Sequence, residues 1–227
     1  MIPRPTNPLI VALDVSDLDR AEALAAGLGP EVGMLKVGLE LVWSRGPDAV
    51  RRIAAHAPVF ADGKLHDIPN TVEAAAANIA SLGVRMTTVH ALGGEAMMRA
   101  ALRGAERGAH EAGVERPMVV AVTVLSSQGG EGLASPASLA FEAKASGLDG
   151  VVVSGTDVGD VRETCGEGFC LVVPGIRPAG ANGDDQVRVL TPTEAIERGA
   201  DYLVIGRPIT AARDPVGVAR AIAASVR

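Results

Sequence analysis

An α/β barrel of eight parallel strands, a (β/α)8 TIM barrel, is the fold this sequence predicts, and three observations predict it. Strand-like and helix-like segments alternate along the whole chain. The strand-like segments are continuous apolar runs, the pattern of a parallel sheet covered on both faces. The residues that close these runs are mostly polar or charged, as in a barrel whose functional groups gather at the C-terminal ends of its strands. An open doubly wound sheet is the competing arrangement, but no Gly-x-Gly-x-x-Gly follows the first run. The 227 residues show no composition break, low-complexity tract or charged linker, so one domain over 1–227 is expected.

The elements follow in order. Residues 9–13, Leu-Ile-Val-Ala-Leu, form the first strand and end at Asp14. Ser16 or Asp17 stands where a helix to about Gly27 needs a cap. Residues 33–37 make the second strand, with helix from there to about His56. Residues 59–64 make the third, and Asn70 is placed to cap an alanine-rich helix over 72–81. The fourth strand covers 85–90 and is followed by a helix from Gly94 to about Gly113; the fifth covers 118–124. Ser135-Pro136 opens the next helix in the favoured cap-then-proline order. Residues 150–153, 169–173 and 201–205 are the last three strands, with helices between them and a final one to Val226.

Composition narrows the function. The formal charge is −6, only 2% of residues are aromatic, and no long basic run occurs. Nucleic-acid binding needs basic grooves and stacking rings, so no nucleic-acid partner is expected. Cys165 and Cys170 are the only cysteines, neither a disulfide framework nor a four-ligand zinc site, and read as small apolar residues. Residues 1–8 lack the apolar core of a signal peptide, and no apolar run approaches the ~20 residues that span a bilayer. A soluble cytoplasmic protein with no membrane partner is expected.

Chemistry concentrates in residues 62–71, Asp-Gly-Lys-Leu-His-Asp-Ile-Pro-Asn-Thr. Strand alternation puts Asp62 and Lys64 on one face and Gly63 on the other. Asp67 lies beyond the strand, in the turn before Pro69. A lysine flanked by carboxylates at a strand's C-terminal edge is placed to deliver a proton to a carbanion formed beside it. A surface salt-bridge cluster is the plainer reading of the same string, and the other strand ends bear on the choice. Those positions hold Asp14, Lys36, Asp62 with Lys64, His90, Ser126, Ser154, Arg177 and Arg207. Lys36 sits in an apolar context, where a snorkelling lysine is the alternative. His90 is equally readable as a core histidine bonded to backbone.

A second region has the marks of an anion site. After the seventh strand comes Pro174-Gly175-Ile176-Arg177-Pro178, then a Gly- and Asn-rich stretch to Gln186, the composition of a lid or binding loop. After the eighth comes Gly206-Arg207-Pro208, where Gly206 permits close backbone approach and Arg207 opens a helix. Barrels commonly hold phosphate after these two strands.

With these residues in view, the whole chain resembles the orotidine 5′-monophosphate decarboxylase family. The resemblance rests on Leu13-Asp14, Lys36-Val37-Gly38, Asp62-x-Lys64-x-x-Asp67-Ile68-Pro69-x-Thr71, Pro174-Gly175-Ile176-Arg177 and Gly206-Arg207-Pro208. Asp-x-Lys-x-x-Asp alone is shared with sugar-phosphate decarboxylase relatives; the Ile-Pro-x-Thr extension with Pro-Gly-Ile-Arg-Pro is more specific. Gly63 departs from the apolar residue members often carry there, with a small effect on stability expected. The resemblance implies a homodimeric barrel without metal or other cofactor that converts orotidine 5′-monophosphate to UMP and carbon dioxide, the last step of de novo pyrimidine synthesis. By the same resemblance Lys36, Asp62, Lys64 and Asp67 form the catalytic charge network, and Lys64 protonates C6. Asp62 sits near the substrate carboxylate. Asp67 and Thr71 reach the neighbouring subunit's site. Asp14 and Lys36 hold ribose hydroxyls, and Ser126 contacts the pyrimidine. Arg177, Gln186, Gly206 and Arg207 hold the phosphate. Two other readings stand beside this one. A magnesium-dependent sugar-phosphate relative would use the same scaffold. A non-catalytic nucleotide-binding barrel would need the arginines but not all four charged residues.

Overall fold

The computed structural model describes residues 5–124, 134–177 and 190–226. The strands are β1 (Leu9–Ala12), β2 (Met34–Val37), β3 (Val59–Leu65), β4 (Met86–His90), β5 (Met118–Val122), β6 (Gly150–Val152), β7 (Cys170–Pro174) and β8 (Tyr202–Ile205). All neighbours pair in parallel, and β8 returns to β1 to close the barrel. The predicted fold class is the one observed.

Helices α1 (Leu18–Leu28), α2 (Leu39–Arg45), α3 (Pro47–Ala54), α4 (Pro69–Ala80), α5 (Gly94–Ala112), α6 (Pro136–Ala145), α7 (Val158–Cys165), α8 (Pro192–Glu197), α9 (Arg207–Thr210) and α10 (Pro215–Ser225) follow the strands. Asp17, not Ser16, caps α1, accepting from the amides of Asp19 and Arg20. Ser135 caps α6 through the amide of Ser138, as its Ser-Pro signature implies. Two expectations need correction. The helix predicted to run to His56 is two helices, because Gly46 takes φ +67° and Pro47 starts a new one. Asn70 does not cap α4. Pro69 occupies its first turn and Ile68, extended as a residue before proline must be, is the N-cap.

Strand alternation divides the apolar residues into two compartments. Leu9, Val11 and Leu13 join a large core between barrel and helices. Ile10 and Ala12 join Met34, Phe60, Met86, Val120, Val172 and Tyr202 in a smaller cluster that fills the barrel. The same parity, carried toward the strand ends, sets Asp14, Lys36 and Asp62 above this plug. Burial therefore supports the charged residues from below.

The opposite end of the barrel is tied by two repeated clamps. Asp149, just before β6, accepts two bonds from Arg116 at 2.8 Å each and one from the amide of Val119 on β5. Asp201, just before β8, accepts from Arg162 at 2.7 Å and from the amide of Leu171 on β7 at 2.8 Å. Arg162 also donates to the carbonyls of Gly166, Phe169 and Gly199. Both cysteines are buried and free, and burial pushes the Cys170 thiol well up, so they behave as small apolar residues. Among the described residues no helix is long and apolar enough to cross a membrane.

Candidate active site

Four side chains from three adjacent strands alternate in sign at the barrel mouth. The Lys36 ammonium lies 2.9 Å from Asp14 Oδ1 and 3.5 Å from Asp62 Oδ2. Lys64 Nζ lies 2.5 Å from the same Oδ2. Lys36 and Asp62 are buried, while Asp14 and Lys64 open toward solvent. The array lines one side of a cavity of about 290 Å³ that Val122, Val152 and Val204 face from the other strands. An apolar wall opposite a few fixed charges is the make-up of a small-molecule site. Gly38 makes room for this packing, since a Cβ there would lie 2.9 Å from Lys36 Nζ.

Burial opposes ionisation of Asp62. The ammoniums of Lys36 and Lys64, with hydrogen bonds from Lys64 and Thr88, outweigh burial and hold its carboxyl below the usual carboxylate range. With its folded value depressed, Asp62 contributes stability that is present above the unfolded pKa. That contribution is lost as pH falls through the folded value.

Lys64 is the only non-glycine residue with positive φ among the described residues, at +47°. A side chain in this left-handed region is uncommon and costs of order 1–3 kcal/mol, a strain that clusters at functional sites. The β3–β4 register shifts at the same place, between Ala61 and Leu65. Gly63, beside it, points away from the cavity. A Cβ there would sit 3.5 Å from Ile79 Cδ1 of α4, an ordinary contact. Gly63→Ala should therefore raise stability by about 0.5–1 kcal/mol with turnover unchanged. Urea denaturation checks the first half and an activity assay the second.

The remaining expected residues divide into those at the mouth and those away from it. Gly206 lines the cavity, as does Ser154, whose hydroxyl lies 3.0 Å from that of Thr156. Arg177 follows β7 and Arg207 opens α9, the latter exposed; neither lines the cavity. Asp67 is not brought to the array. It is exposed, and its Oδ1 accepts from the amide of Ile68 at 2.6 Å. Among the described residues Lys64 is thus paired with Asp62 alone, and the alternation runs through Lys36 to Asp14 instead. Thr71 is exposed on the first turn of α4. Ser126 and Gln186, with the proposed lid segment 178–186, lie outside the described residues. His90 stacks on His66 at 5.3 Å between ring centroids. Burial, then His66 and Lys64, push its imidazole below the ordinary value against the opposing pull of Asp62.

One residue at the site escaped the reading of strand ends. Thr88, on β4, is fully buried and its hydroxyl lies 2.9 Å from Asp62 Oδ1. The signal was available, since counting back two from His90 places Thr88 on the inner face.

A closed α/β barrel with fixed charges interleaved at its C-terminal mouth has the form of a barrel enzyme. The family model for the Orotidine 5'-phosphate decarboxylase / HUMPS family matches residues 7–222. The Orotidine 5'-phosphate decarboxylase of Moorella thermoacetica is 49% identical, over 97% of this chain and 92% of that protein. The crystal structure of Orotidine 5'-phosphate decarboxylase from Lactobacillus acidophilus superposes with a TM-score of 0.85 at 38% identity, covering 97% of this chain and 99% of that one. An uncharacterized conserved protein from Geobacillus kaustophilus gives 0.84 at 34% identity, over 97% and 100%. The chain belongs to the orotidine 5'-phosphate decarboxylase / HUMPS family.

Proposed function

We propose that this chain, acting as a single barrel domain, decarboxylates orotidine 5′-monophosphate to UMP and carbon dioxide without a cofactor. The observation that carries the reading is the Asp14–Lys36–Asp62–Lys64 array, which ends in an ammonium at the open side of the cavity. When the bond from C6 to its carboxylate breaks, the electron pair stays on C6. A cation fixed there beforehand stabilises that charge without reorganising. Lys64 then gives C6 a proton from Nζ and recovers one from solvent. Asp62 is held as an anion, so it repels the substrate carboxylate before reaction and is relieved as neutral carbon dioxide forms. Asp14 and Lys36 bind ribose hydroxyls and Ser126 the pyrimidine. The phosphate is held by Arg177, Gln186, Gly206 and Arg207, and its binding energy orders the site from a distance.

Against the sugar-phosphate reading stand the Ile68-Pro69-Asn70-Thr71 run and the state of Asp62. Its two oxygens are taken up by Lys36, Lys64 and Thr88, which leaves little for a divalent ion. The test is loss of orotidine 5′-monophosphate absorbance in chelator-treated buffer. Decay is expected; no decay, or a strict magnesium requirement, sinks the reading.

The protein works as a cytoplasmic homodimer in which Asp67 and Thr71 enter the partner's cavity. Three features support this. Both residues are exposed, and the Asp67 carboxylate accepts from the Ile68 amide. Ile68 between them is 66% exposed, and Leu92 on the neighbouring loop is 45% exposed. Large apolar side chains bared beside a site suit a second copy of the chain. Mixing inactive Asp67→Ala with inactive Lys64→Ala subunits leaves one unmutated site in each mixed dimer. About a quarter of wild-type activity should return after random exchange between two-fold dimers. No recovery after proven exchange rejects shared sites.

A further inference from the structure

Thr88 is fully buried on β4 and does not line the cavity, yet its hydroxyl joins the two most unusual features of the site. The backbone amide of Lys64 donates to Oγ1 at 2.8 Å, and Oγ1 lies 2.9 Å from Asp62 Oδ1. An amide can only donate and an ionised carboxylate can only accept, so the single hydroxyl hydrogen must point to Asp62. The bond direction is therefore set by chemistry. On β3 the ladder passes from Ala61 to Leu65 while its partner on β4 advances only from Thr87 to Val89. Within that bulge the Lys64 amide takes the Thr88 side chain as its acceptor, and Lys64 itself is left-handed. Asp62 is pinned at both oxygens, Oδ1 by Thr88 and Oδ2 by the two lysines.

We propose that Thr88 is a positioning residue for the reaction, its hydroxyl holding the Lys64 bulge and the Asp62 carboxylate in one geometry so that the Lys64 ammonium meets the substrate carbon. The proposal rests on the reading of Lys64 as proton donor. Thr88→Val keeps the shape and removes the hydroxyl, and Thr88→Ser keeps the hydroxyl. Thr88→Val should lower kcat on orotidine 5′-monophosphate by about 10- to 100-fold with KM within about threefold, because a hydrogen bond to a charged group is lost. Thr88→Ser should stay within about threefold of wild type in kcat.

A second readout needs no substrate. Followed by carbon-13 NMR of the carboxyl, Asp62 should titrate higher in Thr88→Val than in wild type, with Thr88→Ser restoring it. In the wild type, the Lys64 amide should be protected from hydrogen exchange despite its place in the bulge. Unchanged kcat in Thr88→Val, an equal loss in Thr88→Ser, or fast exchange at Lys64 in the wild type each overturns the proposal. The exchange result stands even where Thr88→Val fails to fold. If wild type does not turn over orotidine 5′-monophosphate, the functional reading fails instead, and the carboxyl titration still decides what Thr88 holds.

Discussion

Lys64→Ala should lose at least about a thousandfold in turnover of orotidine 5′-monophosphate while the barrel stays folded, because it removes both the proton donor and the charge facing C6. Lysine and alanine face the same backbone cost at φ +47°, so the substitution adds no new strain there. Asp62 keeps Lys36 and Thr88 as partners and remains compensated. Circular dichroism and thermal unfolding of the purified variant should stay close to wild type. Turnover within tenfold of wild type would remove Lys64 from the mechanism.

Arg162→Met should act in the opposite sense, unfolding the protein early without touching its chemistry. Arg162 donates to Asp201 and to three carbonyls from the partly buried base of the barrel, away from the mouth. Methionine keeps most of the stem's packing but leaves Asp201 without its cation. Removing one partner of a buried pair costs about 3–5 kcal/mol. For a chain of this size that corresponds to a fall in Tm of roughly 10 °C. Well below the new transition, kcat and KM should match wild type. A Tm loss under about 2 °C, or a changed kcat, would mean that the clamp is not what holds β7 and β8 together.

Much of the fold and of the site is legible in the sequence alone. A parallel barrel hides both faces of its sheet, so its strands appear as apolar runs, and eight of them could be counted. Asp14, Lys36, Asp62 and Lys64 were visible because each interrupts or ends such a run. Thr88 ends no run; alternation back from His90 places it on the inner face, and its pairing with a bulged β3 then shows its use. Spacing places Asp67 beyond the strand but does not say which way it faces. The two residues between Lys64 and Asp67 allow contact, but in the turn into Pro69 Asp67 is exposed and its carboxylate accepts from the Ile68 amide. Asn70 was a good cap by residue type, yet the proline before it was the stronger signal, since its ring fits only the first helical turn.

The left-handed backbone at Lys64 sets two kinds of selection against each other. Glycine adopts that conformation freely, whereas lysine bears a cost of order 1 kcal/mol or more. A search guided by stability alone would be drawn to Lys64→Gly, which relaxes the chain at the position where turnover depends on an ammonium. Any effort to make this barrel more heat-resistant must therefore hold residue 64 fixed and seek its gains elsewhere, at sites such as Gly63, where an added Cβ would meet Ile79 and Leu65 at ordinary contact distance.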